Sequence, residues 1–102
     1  MSIKKQYLKK EGVCKVTFSL NEKVNSIENI RIPGDFNNWD TNCEPMKRIK
    51  TGGLSQTINL EPGKAYQFKY LINDSVWAND PDSDQFVPNG YGPDEFNSSI
   101  VL

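Results

Sequence analysis

The chain has 102 residues, with 12 Lys and Arg against 13 Asp and Glu, a formal net charge of −1 and no His. This length fits one domain with a modest hydrophobic core, and the lack of a basic excess argues against nucleic acid as a partner. Without His the commonest general base and zinc ligand are missing, and two Cys are too few for a disulfide framework. We therefore predict a single domain over residues 1–102, with no catalytic residues, no cofactor and no metal.

The first 12 residues carry four lysines interleaved with apolar side chains, and this pattern leaves three structures open. The segment is an edge strand, a helical turn or a loose tail, and lysines on an edge strand would discourage pairing with a second sheet. It lacks the apolar region of a signal peptide, and no run in the chain approaches the ~20 apolar residues of a membrane span. We therefore expect a cytoplasmic protein that does not contact a membrane.

Beyond this segment, apolar and polar residues alternate in short runs separated by turn residues. The runs predicted as strands are residues 13–20, 27–33, 54–60, 65–72, 76–78 and 99–102. In the first of them the alternation places Cys14, Val16 and Phe18 on one face, which makes Cys14 a small buried hydrophobe. Six or seven strands in 102 residues, with no helical pattern between them, predict an antiparallel β-sandwich.

Residues 33–40, with the sequence PGDFNNWD, follow the second predicted strand and carry two aromatic residues among Gly, Asp and Asn. Gly, Asp and Asn favour turns, so the segment is predicted to be a compact loop at the strand exit. Phe36 is expected to plug the core beneath this loop. Trp39 is either a lid on the core or an exposed platform, and composition alone does not decide between the two.

Residues 65–72 carry the clearest alternation, which assigns every second side chain to the core and Lys69 to the opposite face. A three-residue loop over 73–75 would place Leu71 opposite Trp77 and make Lys69 a diagonal neighbour of that indole. Lys69 and Trp77 are therefore expected to share the outer face of the sheet. A flat indole can stack on the C–H groups of a sugar ring, while an ammonium donates hydrogen bonds to sugar hydroxyls.

Residues 80–84, with the sequence DPDSD, have the carboxylate spacing that opens a calcium loop. Such a loop needs Gly at its sixth position and Glu at its twelfth, where this chain has Gln85 and Tyr91. An acidic turn is therefore favoured over a metal site.

Several short strings, taken in their order along the chain, resemble one known family. They are IPGDFNNWD at 32–40, PM at 45–46, LEPG at 60–63, YQFKY at 66–70, WANDP at 77–81 and VPNGYG at 87–92. The series is similar to the family 48 carbohydrate-binding module, which includes the glycogen-binding domain of the AMP-activated protein kinase beta subunit and the N-terminal early-set domains of isoamylases and glycogen branching enzymes. The resemblance runs from about Lys15 onward and implies an immunoglobulin-like β-sandwich of the early-set type.

The resemblance also implies which residues bind the ligand. In the glycogen-binding members, two Trp rings and a Lys form a sugar platform, helped by an Asn near the last strand. The matching positions in this chain are Trp39, Trp77, Lys69 and Asn97. The kinase-type domains add a Leu from a late loop, for which residues 91–96 offer no match, so Tyr91 is the expected substitute contact.

Two functions remain open at this point. The resemblance implies non-catalytic binding of α-1,4-glucans, such as glycogen, starch-like polymers or maltooligosaccharides, by stacking on the Trp, Trp and Lys platform. The alternative is a protein-interaction early-set domain that partners a glycogen-metabolising enzyme and binds no sugar. Because the sequence ends at its last predicted strand, we expect one of two arrangements: a small glucan-binding protein that acts alone, or a module that works with a separate partner such as a glycoside hydrolase or branching enzyme. The lack of His and the small size disfavour an enzymatic role.

Overall fold

The computed structural model describes all 102 residues and contains β-strands, turns and one short 3₁₀ turn at Asp35–Asn37. The strands are β1 (Ser2–Leu8), β2 (Val13–Leu20), β3 (Ile30–Arg31), β4 (Lys47–Arg48), β5 (Leu54–Leu60), β6 (Ala65–Phe68), β7 (Tyr70–Ile72), β8 (Val76–Ala78), β9 (Gln85–Pro88) and β10 (Phe96–Val101). All of their pairings are antiparallel, so the predicted all-β antiparallel sandwich is confirmed. The structure holds no helix with the length and hydrophobicity needed to cross a membrane.

The strands form two layers. One layer is the four-stranded sheet β1-β2-β5-β4, and the other consists of two three-stranded sheets, β6-β10-β9 and β3-β7-β8. The two smaller sheets meet where the chain passes from β6 to β7. There Gly34 forms a β-bridge with Phe68, and the Lys69 amide donates to the Pro33 carbonyl at 3.1 Å. The second layer is therefore continuous, and it carries the site described below.

The core lies between the two layers and is centred on Phe18 of β2. Its ring packs edge-on against Phe68 and Tyr70 of the second layer, with centroids 5.2 and 6.4 Å away, and it contacts Phe36 at 6.3 Å. Phe36 therefore packs against the core from beneath its loop, as predicted. The buried side chains of the core are Cys14, Val16, Phe18, Ile30, Ile32, Met46, Leu54, Leu60, Phe68, Tyr70 and Ile100. The predicted inward face of β2 is confirmed, and Cys14 is a buried hydrophobe.

Polar contacts close both open edges of the sandwich. At one edge the Met46 amide donates to the Ile30 carbonyl of β3 at 2.8 Å. At the other edge the Lys5 ammonium donates to the Asp84 carboxylate and to the Val101 carbonyl, so β1 is an edge strand tied to β10. Burial alone would raise the pKa of Asp84, but hydrogen bonds from Lys5 and the Val101 amide lower it below its usual value.

The structure corrects three strand boundaries and adds two strands. Residues 65–72, predicted as one strand, are interrupted at Lys69, because the amide of Lys69 pairs with Pro33 just beyond the end of β3. The strand predicted at 27–33 shortens to β3, and the last strand begins at Phe96 rather than at residue 99. The added strands are β4, which has two residues and is too short to show an alternation, and β9, which ends in a proline.

Candidate functional site

An open cleft of about 930 Å³ lies on the outer face of the second layer. Its lining residues are Asp35, Trp39, Thr41, Gln67, Lys69, Trp77, Pro88, Asn89, Tyr91, Glu95 and Asn97. This set includes all five residues predicted from the sequence as a binding site, namely Trp39, Lys69, Trp77, Tyr91 and Asn97. The fold therefore brings together side chains that lie far apart along the chain.

The first wall of the cleft is the loop of residues 33–40, here called the Trp39 loop. Near its start is Gly34, where an added Cβ would lie 2.7 Å from the Gln67 carbonyl oxygen. Only glycine allows the loop to pass this close to β6. The Asn37 side chain then accepts a hydrogen bond from the Gly34 amide at 3.0 Å, which closes the loop.

Asp35 holds the Trp39 indole in place. One carboxylate oxygen accepts a hydrogen bond from the indole N–H at 3.0 Å. The other accepts one from the backbone N–H of Gln67 in β6 at 2.7 Å. Asn38 and Trp39 both adopt left-handed backbone angles, with φ of 56° and 57°. Such angles are unusual for a tryptophan and persist where the surroundings hold them. Trp39 is half-buried, and it lines the cleft beside Asp35.

The second wall is the β7–β8 hairpin, which carries Trp77. Leu71 pairs with Trp77 across a loop of three residues, 73–75, as predicted. The Asn73 side chain makes three hydrogen bonds of 2.7, 2.7 and 3.2 Å to the backbone of residues 26–29, which fix the turn. Trp77 is 46 % exposed, so its ring is open to the cleft and to solvent.

A buried polar cluster fixes the end of β8 against β10. Asp80 is fully buried: its carboxylate accepts from the Tyr70 hydroxyl and the Asp82 amide, and its own amide donates to the Ser98 hydroxyl at 3.0 Å. Burial and the hydrogen bond to Asp80 raise the pKa of Tyr70 far above its usual value. Residues 80–84 thus form an acidic turn with a structural Asp. No group of three or more His, Cys, Asp or Glu side chains is arranged to hold a metal ion.

The floor of the cleft is a chain of side-chain amides, here called the amide chain. Asn97 donates to the Gln67 side-chain oxygen at 3.1 Å and accepts from Asn89 at 3.2 Å. The Asn89 side-chain oxygen in turn accepts from the Tyr91 backbone amide at 3.1 Å. The amide chain joins β6, β10 and the loop after β9, and each of its hydrogen bonds fixes the orientation of a carboxamide.

Lys69 is the only cationic residue among those that line the cleft. Its side chain is 13 % exposed, and its ammonium lies 3.8 Å from the carboxylate of Glu95, whose side chain is 57 % exposed. Tyr91, in the same loop as Glu95, is 89 % exposed and forms the rim. Aromatic surface beside oriented amides and a paired cation suits a ligand with flat apolar faces and many hydroxyl groups.

Five polar lining residues are absent from the site predicted by sequence, namely Asp35, Thr41, Gln67, Asn89 and Glu95. Gln67 shares the period-two face of its strand with Lys69, and this signal could have identified it. Asp35 lies in the segment 33–40, whose composition predicts a turn but not the partners of its side chain, and Asn89 lies in the motif string at 87–92. Glu95 lies outside those strings, and its approach to Lys69 depends on the path of the loop between β9 and β10.

Comparisons with known proteins give a local similarity. No protein-family profile matches the chain. A segment of 43 residues is 44 % identical to part of a protein named 1,4-alpha-glucan branching enzyme GlgB from Halothermothrix orenii. The segment is 42 % of this chain and 7 % of the branching enzyme, so the chain is similar to a small part of that protein.

Proposed function

We propose that this chain binds α-1,4-glucans without catalysis, in the cleft between Trp39 and Trp77. One observation carries the proposal: the four residues at matching motif positions and Tyr91, the expected substitute contact, come from separate parts of the sequence and line the same cleft. The similarity to a protein named 1,4-alpha-glucan branching enzyme supports an α-glucan as the ligand. The resemblance to family 48 carbohydrate-binding modules supports the same class of ligand and an immunoglobulin-like connectivity.

The recognition mechanism follows from the chemistry of glucose. Each ring presents C–H groups on its faces and hydroxyls around its edge, so an indole can stack on the face while polar groups bind the edge. In the proposed complex, Trp39 and Trp77 stack on glucose rings of one chain. Lys69 donates hydrogen bonds to hydroxyls, and Asn97 adds a carboxamide that the amide chain already orients. Tyr91 contacts a further ring at the rim.

The aromatic walls are expected to provide most of the affinity. Nearly half of the Trp77 side chain is exposed in the free protein, so a bound glucan would remove apolar surface from water. Hydrogen bonds to hydroxyls replace equivalent bonds to water and therefore contribute less to net affinity than to selectivity. Binding energy in protein interfaces concentrates in the same way on a few Trp and Tyr residues.

A role without catalysis is supported by the surroundings of the two carboxylates in the cleft. Glycoside hydrolysis needs a pair of carboxyl groups beside the bond, one of them kept protonated by an apolar environment. Asp35 already accepts two hydrogen bonds, and Glu95 is exposed beside the Lys69 ammonium. Neither resembles a general acid. In the proposal, chemistry on the glucan belongs to a separate glycoside hydrolase or branching enzyme.

The proposal is tested by isothermal titration with maltoheptaose and by electrophoresis through gels that contain glycogen. Trp39→Ala and Trp77→Ala should each weaken binding by about 1–3 kcal/mol, or about 5- to 150-fold. Tyr7→Ala is the matched control, because Tyr7 is 52 % exposed and lies in β1, outside the cleft. Wild-type affinity in both Trp variants, with all proteins folded by circular dichroism, would contradict the assigned site.

The second candidate function is that of a protein-interaction domain, and the exposure of the aromatic rim favours it. Trp77 and Tyr91 are open to solvent, and protein interfaces are enriched in Trp and Tyr. A glycogen-metabolising enzyme would then cover the same aromatic surface, and no sugar would bind. This second function predicts a folded protein that gives no heat with millimolar maltoheptaose but co-elutes with a branching enzyme in gel filtration.

A further inference from the structure

We infer that the cleft selects neutral glucans and rejects glucans that carry phosphate or other anionic groups. The inference rests on the proposed function, because it assigns the charge class of the ligand at the same site. Three features carry it: the sign of the charges around the cleft, the pairing of Lys69, and the hydrogen-bonding character of the lining.

Carboxylates outnumber cations around the cleft. The charged lining residues are Asp35, Glu95 and Lys69, which supply two carboxylates and one ammonium. Asp40 and Asp94 add two exposed carboxylates, each directly next to a lining residue in the chain. The whole chain has a net charge of only −1, so this excess is local. The cleft therefore presents a negative potential to an approaching ligand.

The single cation of the cleft is already paired. The Lys69 ammonium lies 3.8 Å from the Glu95 carboxylate, and little of the Lys69 side chain reaches solvent. A hydroxyl can accept a hydrogen bond from this ammonium while the ion pair persists, because the hydroxyl brings no charge. A phosphate would have to displace Glu95 or lie beside its carboxylate, and like charges at such a distance are strongly unfavourable.

The hydrogen-bonding groups of the lining also favour hydroxyls. A sugar hydroxyl both donates and accepts, so it can donate to carboxylate oxygens of Asp35 or Glu95 and accept from Lys69. A phosphate ester carries about −1.5 to −2 charges at pH 7 and offers almost only acceptors. Next to a carboxylate it therefore gains no hydrogen bond and meets a repulsive charge. The cleft can therefore distinguish a neutral glucan from the same glucan that carries a phosphate ester.

The experiment compares a phosphorylated linear maltodextrin with the same sample after phosphatase treatment. Both are titrated into the full chain at pH 7 in low salt. The phosphorylated sample should bind at least about tenfold more weakly, and the difference should shrink in 0.5 M NaCl because salt screens the carboxylates. Glu95→Gln removes one carboxylate and releases Lys69, so the ratio of the two affinities should fall to about threefold.

The matched control is Glu22→Gln, an exposed carboxylate outside the cleft, which should leave the ratio unchanged. Equal affinity of wild type for both samples would overturn the inference and leave glucan binding intact. An unchanged ratio in Glu95→Gln would also overturn it, because the pairing of Lys69 would then have no part in selection. Absence of binding to the dephosphorylated sample would instead overturn the proposed function itself.

Discussion

The two walls of the cleft hold their tryptophans by different means. Trp39 lies in a loop shaped by side chains, with Asp35 bonded both to the indole and to the backbone of β6. Trp77 lies in a strand, and its place follows from backbone register, with Leu71 as its cross-strand partner. The first wall can therefore be altered through one side chain. The second wall changes only when the hairpin or its anchors change.

Gly34→Ala should have the largest effect, because it should disrupt the Trp39 loop and also destabilise the whole fold. The added Cβ would lie 2.7 Å from the Gln67 carbonyl oxygen and 2.8 Å from the Phe68 Cβ, both fixed in β6. We expect the free energy of unfolding, measured in urea, to fall by about 2–4 kcal/mol. Gly63→Ala is the control. Its φ is 84° with no atom within 4 Å of the new Cβ, so it should lose only about 1 kcal/mol. Equal losses in the two variants would show that the loop does not need this close approach.

Asn73→Ala should have the next largest effect and acts on the second wall. The substitution removes three hydrogen bonds to residues 26–29 and leaves alanine at a φ of 52°. We expect a loss of about 2 kcal/mol in the free energy of unfolding, because several backbone groups lose their partner. Exchange of the indole N–H with solvent should become faster at Trp77 and stay unchanged at Trp39. Faster exchange at both indoles would mean that the two walls are not independent.

Alkaline pH should destabilise the buried cluster of Tyr70 and Asp80, which fixes the end of β8 in the second wall. The pKa of Tyr70 is raised in the folded state, so its contribution to stability is complete below the unfolded value of about 10 and is lost as pH rises above it. The free energy of unfolding should therefore fall by up to about 1.4 kcal/mol per pH unit above pH 10 from this group. Tyr70→Phe should show a smaller slope between pH 10 and 11 in urea titrations. The same slope in both proteins would exclude Tyr70 as the cause.

Asp35→Ala should have the smallest effect on stability and a selective effect on the first wall. The variant frees the Trp39 ring, and ordering a freed side chain on binding costs about 0.5–1.5 kcal/mol, or about two- to tenfold in glucan affinity. Asp94→Ala is the control, since Asp94 is an exposed carboxylate near the cleft whose side chain makes no hydrogen bond to the Trp39 loop. Titration with maltoheptaose distinguishes the two. Comparable losses in both variants would assign the effect to charge rather than to the position of Trp39.

The two walls also differ in how far sequence predicts them. The hairpin register follows from alternation and from a turn of three residues, so the pairing of Leu71 with Trp77 could be predicted from periodicity alone. The orientation of Trp39 could not, because it depends on a carboxylate whose partners are a ring in its own loop and an amide 32 residues away. Turn composition predicted that a loop would form, but not the contacts that hold its tryptophan.

The same contrast holds for the fold as a whole. Strands with a clear inward face, such as β2 and β5, have the predicted boundaries, since burial sets a strict period of two. The interruption at Lys69 was missed, because it arises from a hydrogen bond to Pro33 in another segment. Glu95 was missed for a similar reason, since its contact with Lys69 depends on the path of a loop rather than on any local pattern.

The most direct test of the account is a titration of ¹⁵N-labelled protein with maltoheptaose, followed by the signals of the two indole N–H groups. The account predicts that both indoles shift along one saturable curve, together with the amides of Lys69 and Asn97. Indole signals that stay fixed at millimolar maltoheptaose, in a protein whose other signals show it to be folded, would contradict glucan binding in this cleft.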